Sequence, residues 1–261
     1  MVKYDRSNPL RVFTSFSGYD SQLLSLCRLR DIYPDFSFEC VGWSEIEPDA
    51  IKAHNSLFPE LADKAFGDIT LIDWNKVGDF DLFTMSSPCQ DFSAAGKMRG
   101  GEEGSGTRSS LLWECTKAIQ IKRPKYILFE NVKNLVSGTF VKGFNKWQMR
   151  LEGFGYKNFA QVINSKNMGV PQNRERIFMV SILRTEDNPE PQYHFPAPFP
   201  LERCLADVLE EEVDESYFLS GEMLARFCEK SVSEEAYSEI TNENLHIEDY
   251  DEDFDNFLVC G

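Results

Sequence analysis

The residues best suited to chemistry stand at the ends of apolar runs. The run Phe80–Met85 leads straight into Ser87-Pro88-Cys89-Gln90-Asp91-Phe92-Ser93. A cysteine at such a strand end, its approach fixed by proline and its flanks polar, is placed for nucleophilic attack. The thiolate is the attacking form, so it needs a local field that favours the anion. A second run, Tyr126–Phe129, ends in Glu130-Asn131-Val132. A carboxyl at the tip of an apolar strand, if partly buried, can give a proton or a hydrogen bond. Further on, Gln172-Asn173-Arg174-Glu175-Arg176 enters another strand-like run. Alternate residues on a strand share a face, so Gln172, Arg174 and Arg176 are expected to project together. Each cluster also has a plain structural reading: a small buried thiol, a cap, a solvated charge run.

A second group of strand ends suits a nucleoside. Leu10–Phe16 turns into Ser17-Gly18-Tyr19-Asp20, where glycine lets a ligand approach the backbone. Ser44-Glu45 follows the next strand, where the Glu45 carboxylate can accept hydrogen bonds from ribose hydroxyls. Gly67-Asp68-Ile69 follows a third segment, where Asp68 either caps a turn or meets an adenine amino group. Asp20 and Ser21 stand where a dinucleotide fingerprint needs further glycines. A cofactor without a pyrophosphate is therefore favoured.

The elements that must position these residues alternate. Strands are expected at 10–16, 39–43, 80–85, 126–129, 159–164 and 177–183. Helices are expected at 20–30, 48–57, 111–121 and 144–151. This order predicts an α/β fold, a parallel sheet with helices on both faces, and ligands beyond the carboxyl ends of the strands. Five of the twelve prolines fall within 184–200, which reads as a linker. Short helices are expected at 201–209 and 222–228. The domain reading is thus a catalytic domain at 1–183, a linker at 184–200 and an acidic region at 201–261.

The net charge of −16 argues at first against a nucleic-acid partner. Its distribution removes that argument. Residues 1–200 hold 24 acidic and 24 basic side chains, while residues 201–261 hold 19 acidic and 3 basic. The seven cysteines form no CxxC pair, so neither a disulfide scaffold nor a zinc site is expected, and reducing cytoplasm is the expected compartment. No metal and no membrane are expected; no stretch approaches the ~18 apolar residues that a spanning helix requires. The segment 96–106 carries five glycines together with Lys97 and Arg99, and a loop of this composition is expected to move.

The ordered set Phe16-x-Gly18, Pro88-Cys89-Gln90, Glu130-Asn131-Val132 and Gln172-x-Arg174-x-Arg176 resembles the signature motifs of the cytosine-C5 methyltransferases, of bacterial or phage type. The resemblance spans about residues 10–183 and continues more weakly to about 225. It implies a Rossmann-like S-adenosylmethionine-dependent methyltransferase sheet and transfer of a methyl group to carbon 5 of a flipped cytosine in double-stranded DNA. It implies Cys89 as the covalent nucleophile on carbon 6, Glu130 as the group binding N3, and Arg174 and Arg176 holding base oxygen, phosphate and the catalytic carboxylate. S-adenosylmethionine would meet Phe16, Gly18, Glu45, Ile46, Asp68, Ile69, Pro88 and Leu111. Substrate would meet Gln90, Ser93, Lys97, Arg99, Asn131 and Gln172, with segment 96–106 closing over the flipped base. A restriction-modification role at the bacterial nucleoid is the implied setting.

Two departures shape further expectations. The family's cofactor motif carries glycine where Asp20 stands, and the expectation is that this carboxylate faces the cofactor's amino group. Two later motifs, an arginine-leading Leu-Thr-x-x-Glu helix and an Asn-containing segment, are not found before Gly261. The expectation is a truncated chain or one half of a split enzyme, which a second chain would complete. A catalytically incomplete remnant and a transfer-RNA methyltransferase are the competing readings.

Overall fold

The computed structural model describes residues 3–88, 111–138 and 140–225. It divides into two units, one of residues 1–164 and 174–198 and the other of residues 165–173 and 199–261.

The first unit holds six strands: β1 (Leu10–Ser15), β2 (Phe38–Ser44), β3 (Leu82–Met85), β4 (Tyr126–Val132), β5 (Tyr156–Asn164) and β6 (Glu175–Leu183). Four helices accompany them: α1 (Ser21–Ile32), α2 (Pro48–Leu57), α3 (Leu111–Lys122) and α4 (Val141–Gly153). The sheet order is β2-β1-β3-β4-β6-β5. Alternation along β1 sends Val12 to one face and Phe13 to the other. Val12 joins Leu10, Trp43 and the α1 residues Leu23 and Leu26. Phe13 joins Phe83, Met85, Ile127 and Phe129, covered by Leu112, Ala118 and Ile119 of α3 and by Phe144, Trp147 and Leu151 of α4. Helices therefore cover both faces, as the sequence predicts.

The sheet is not wholly parallel, which corrects the expectation. β1 is parallel to β2 and β3, and β3 to β4, but β6 runs antiparallel to both β4 and β5. The reason is chain length. β5 ends at Asn164 and β6 starts at Glu175, and a parallel crossover needs a dozen or more residues. The proline-rich segment also differs from a linker that leaves the sheet. Arg184 Nη1 donates to the Tyr156 carbonyl at 2.7 Å, Lys157 pairs with Glu190 at 3.0 Å, and Tyr193 meets Phe159 with ring centroids 6.0 Å apart.

At the amino ends of the strands, Asp81 is buried. It pairs with Arg11 Nε and with Lys125 Nζ, each at 3.1 Å. Burial opposes its ionisation, but the hydrogen bonds from Arg11 and Lys125 outweigh it and hold the carboxyl below the usual range.

In the second unit, Met168 bridges Phe199, and the Phe199 N–H donates to the Asn167 carbonyl at 3.0 Å. The helix expected at 201–209 is a single 3-10 turn, Leu205–Val208, tied by Asp207 to the Cys204 N–H at 2.7 Å. A helical turn occupies 221–225; the rest of the helix expected at 222–228 lies outside the described residues.

Candidate active site

The order β2-β1-β3 makes the chain leave β1 toward one side and return toward the other. Carboxyl ends at such a reversal open a crevice. Three residues there adopt left-handed backbone: Phe16 (φ 53°), Gly18 (φ 57°) and Asp20 (φ 67°). They curl the chain from β1 into α1. For Phe16 and Asp20 this conformation costs of the order of 1 kcal/mol each.

Asp20 is held there from inside. Its Oδ2 accepts from Thr14 Oγ1 at 2.6 Å, its Oδ1 caps α1 by accepting from the Leu23 N–H at 3.1 Å, and His54 Nε2 lies 3.6 Å from Oδ2. Asp20 and His54 are both fully buried, and the imidazole stacks on Trp43 with centroids 3.8 Å apart. This corrects the expectation that Asp20 faces the cofactor. An aspartate just ahead of a helix serves first as its cap.

Glu45 organises the rim of the crevice. Its Oε2 accepts from the Gly18 N–H at 2.9 Å, and its Oε1 accepts from the N–H groups of Ile46 at 2.7 Å and Glu47 at 2.9 Å. A carboxylate offers about four acceptor sites. Glu45 is thus fixed by three backbone donors and keeps room for one more, such as a ribose hydroxyl. Asp68 is fixed through Oδ1 by the N–H and hydroxyl of Thr70, both at 2.8 Å.

A cavity of about 190 Å³ opens between these groups. Phe16, Ser44, Glu45, Ile46, Asp68, Ile69, Ser86, Pro88 and Leu111 line it. Of the eight residues assigned to the cofactor from sequence, seven meet here, and the eighth, Gly18, holds Glu45 by its N–H. The charged lining residues are both carboxylates. Such a wall suits a nucleoside with a cationic sulfonium better than a pyrophosphate, so these residues fit S-adenosylmethionine. Sequence reasoning overlooked Ser44 and Ser86, although each adjoins a strand end and the strand-end rule would have included them.

Next along the sheet, Arg176 Nε lies 3.2 Å from Glu130 Oε1, both side chains about a quarter exposed. Arg176 also donates from Nη1 to the Glu175 carbonyl at 2.8 Å. The expectation that Gln172, Arg174 and Arg176 share a strand face is corrected. β6 begins at Glu175, so only Arg176 lies on it. A tight turn, in which the Gln172 N–H donates to the Val170 carbonyl at 2.7 Å, keeps Gln172 off the ladder. The Arg174 N–H donates to Asn164 Oδ1 at 3.2 Å. Gln172 belongs to the second unit and is exposed.

Asn131, expected to meet substrate, follows Glu130 on β4. It is buried, and its Nδ2 donates to the Ser87 carbonyl at 3.0 Å. Cys89, Gln90, Ser93, Lys97 and Arg99 lie outside the described residues, as does segment 96–106. Of the other cysteines, burial pushes the Cys40 thiol up to about 12 and raises those of Cys27 and Cys115, so all three are held as protonated thiols. No helix among the described residues is long and apolar enough to cross a membrane.

Comparison with known proteins accords with this geometry. The family model of the C-5 cytosine-specific DNA methylases matches residues 11–255. The type II methyltransferase M2.ScrFI of Lactococcus lactis subsp. cremoris is 38% identical over 83% of this chain and 72% of its own length. The orphan methyltransferase M.SPRI of Bacillus phage SPR is 31% identical over 92% of this chain, which spans 57% of that protein. The crystal structure of S. pombe Dnmt2 methyltransferase shares the fold, with a TM-score of 0.61 at 20% identity, over 84% of this chain and 66% of its own. The chain therefore belongs to the C-5 cytosine-specific DNA methylase family.

Proposed function

We propose that this chain carries the catalytic apparatus of a DNA cytosine-C5 methyltransferase. The observation that carries the reading is the cavity at the β1–β3 reversal, walled by Phe16, Glu45 and Asp68, with the Glu130–Arg176 pair on β4 and β6. When bound, S-adenosylmethionine supplies an electrophilic methyl group on a sulfonium. Glu45 would take its ribose, Asp68 its adenine, and Phe16, Ile46, Ile69, Pro88 and Leu111 its apolar faces.

The chain's own residues do the rest. Carbon 5 of cytosine is a poor nucleophile until carbon 6 is attacked. The Cys89 thiolate adds to carbon 6, and the electron pair of the 5,6 double bond moves toward carbon 5 and N3. Glu130 gives a proton to N3 as negative charge gathers there and accepts a hydrogen bond from the amino group. Arg176 engages Glu130 Oε1, so among the described contacts Oε2 is left to give a proton to N3. N3 then returns its proton to Glu130, and loss of the carbon 5 proton to water after methylation lets the Cys89–carbon 6 bond break, which returns the thiolate and restores the ring.

The base must leave the duplex to be reached. Lys97 and Arg99 are proposed to meet phosphates, Gln90, Ser93 and Gln172 the displaced nucleotide, and Arg174 the phosphate or base oxygen. A DNA substrate puts the work at the bacterial nucleoid or on phage DNA, and its restriction-modification setting follows that of the type II relatives.

The test is methyl transfer from labelled S-adenosylmethionine to cytosine-rich duplex DNA, with Cys89→Ser as control. Label on DNA that disappears in the variant supports the reading. Label on transfer RNA alone would shift the substrate. If label reaches DNA only when a polypeptide carrying the two later motifs is added, a second chain is a partner.

A further inference from the structure

The ladder of β3 ends at Met85, opposite Ser15 on one side and Phe129 on the other. The two residues that follow lie past that pairing, yet side chains from both flanking elements hold them. Gln22, in the first turn of α1, donates from Nε2 to Ser86 Oγ at 3.0 Å. From the other side, Asn131 Nδ2 reaches the Ser87 carbonyl at 3.0 Å and the Ser87 hydroxyl at 3.2 Å. Asn131 is itself locked, because its Oδ1 accepts from the Val132 N–H at 2.9 Å.

We propose that Gln22 is a positioning residue that spans the β1–β3 crevice and, with Asn131, clamps Ser86–Ser87, so that the cofactor cavity and the chain leading to Cys89 move as one body. Two observations carry this. Polar residues in a first helical turn ordinarily face water, and ordering a long amide costs rotamer freedom, yet Gln22 is turned into a part-buried bond 64 residues away in sequence. Ser86 and Pro88 also both line the cavity, while Ser87 between them is held by the neighbour of Glu130. A ligand in the cavity therefore rests on a segment whose height is set from the Gln22 side and the Asn131 side together. Reactivity falls steeply when a reacting group is displaced by even 1 Å. Gln22 would therefore act on rate through the clamp rather than by touching substrate.

This inference rests on the methyltransferase reading, and the experiment separates the two. Gln22→Leu, Ser86→Ala and the double variant are compared for kcat and for cofactor affinity by calorimetry. The clamp predicts a kcat loss of about 10-fold in each, no further loss in the double variant, and cofactor affinity within about threefold in Gln22→Leu, whose side chain does not line the cavity. Losses that multiply in the double variant, or a Gln22→Leu enzyme with unchanged kcat, would overturn it. If the wild-type chain transfers no methyl group, with or without a polypeptide carrying the two later motifs, the methyltransferase reading fails, and the clamp is read by hydrogen exchange instead. Exchange across 82–88 should then quicken by about 10-fold in Gln22→Leu; unchanged exchange would overturn the clamp.

Discussion

Arg176 Nε stands 3.2 Å from Glu130 Oε1, joining the second residue of β6 to the carboxyl end of β4. The antiparallel insertion of β6 beside β4 makes this pairing possible, since it brings the start of β6 to the strand ends where ligands bind. A planar guanidinium presents its donors to the carboxylate in a fixed fork, whereas an ammonium at the same place would bind as a point charge without that orientation. Arg176→Lys should therefore lower kcat by about 10- to 100-fold with cofactor KM nearly unchanged, measured as steady-state methyl transfer.

Glu45 is organised by three backbone donors, one of them from Gly18. Removing the carboxylate strands those donors and deletes the proposed ribose acceptor. Glu45→Ala should weaken cofactor binding by at least about tenfold, since hydrogen bonds to charged groups contribute roughly 1.5–3 kcal/mol. Gly18→Ala differs in kind. A Cβ there meets open space, so its cost is backbone strain at φ 57°, about 1 kcal/mol. Titration calorimetry and urea melts distinguish the two.

Asp81 supplies the pH dependence. Its folded carboxyl sits below its ordinary value of 3.8. The stabilisation it gives is therefore complete above that value and is lost as pH falls through the lower folded value. Asp81→Asn should cost about 1–3 kcal/mol at neutral pH. The gap between variant and wild type should narrow as pH drops below 4. Urea denaturation at pH 7, 5 and 3.5 checks the sign.

Asp20 stands where the resembling family carries glycine. A glycine here would relieve the left-handed backbone at φ 67°, but it would strand the Thr14 hydroxyl and the Leu23 N–H. Loss of a cap together with buried partners outweighs about 1 kcal/mol of strain relief. Asp20→Gly should destabilise the fold by about 2 kcal/mol or more, and thermal melts of the variant check this.

The strand ends were legible because they combine apolar runs with turn residues, and both signals are local. Phe16, Glu45, Asp68, Pro88 and Leu111 could be gathered from that rule and the family resemblance, and they share one cavity. Strand direction was not carried by the apolar pattern, which is the same for parallel and antiparallel neighbours. The short connection from Asn164 to Glu175 held that information. At Asp20 the charge suggests a cofactor contact, but its place just ahead of α1 makes it the helix cap. The Gln22–Ser86 bond had no local signal, since a polar residue in a first helical turn looks the same whether it meets water or a strand 64 residues away.

The proposed chemistry turns on a covalent bond between Cys89 and cytosine carbon 6, and that bond can be trapped. Duplex DNA bearing 5-fluorocytosine is incubated with the chain and S-adenosylmethionine. The fluorine at carbon 5 cannot leave as a proton does, so the adduct persists. Digestion and mass spectrometry should then place the nucleotide on the peptide carrying Cys89, with no adduct in Cys89→Ser. An adduct on another cysteine, or methyl transfer that survives Cys89→Ser, would contradict the account.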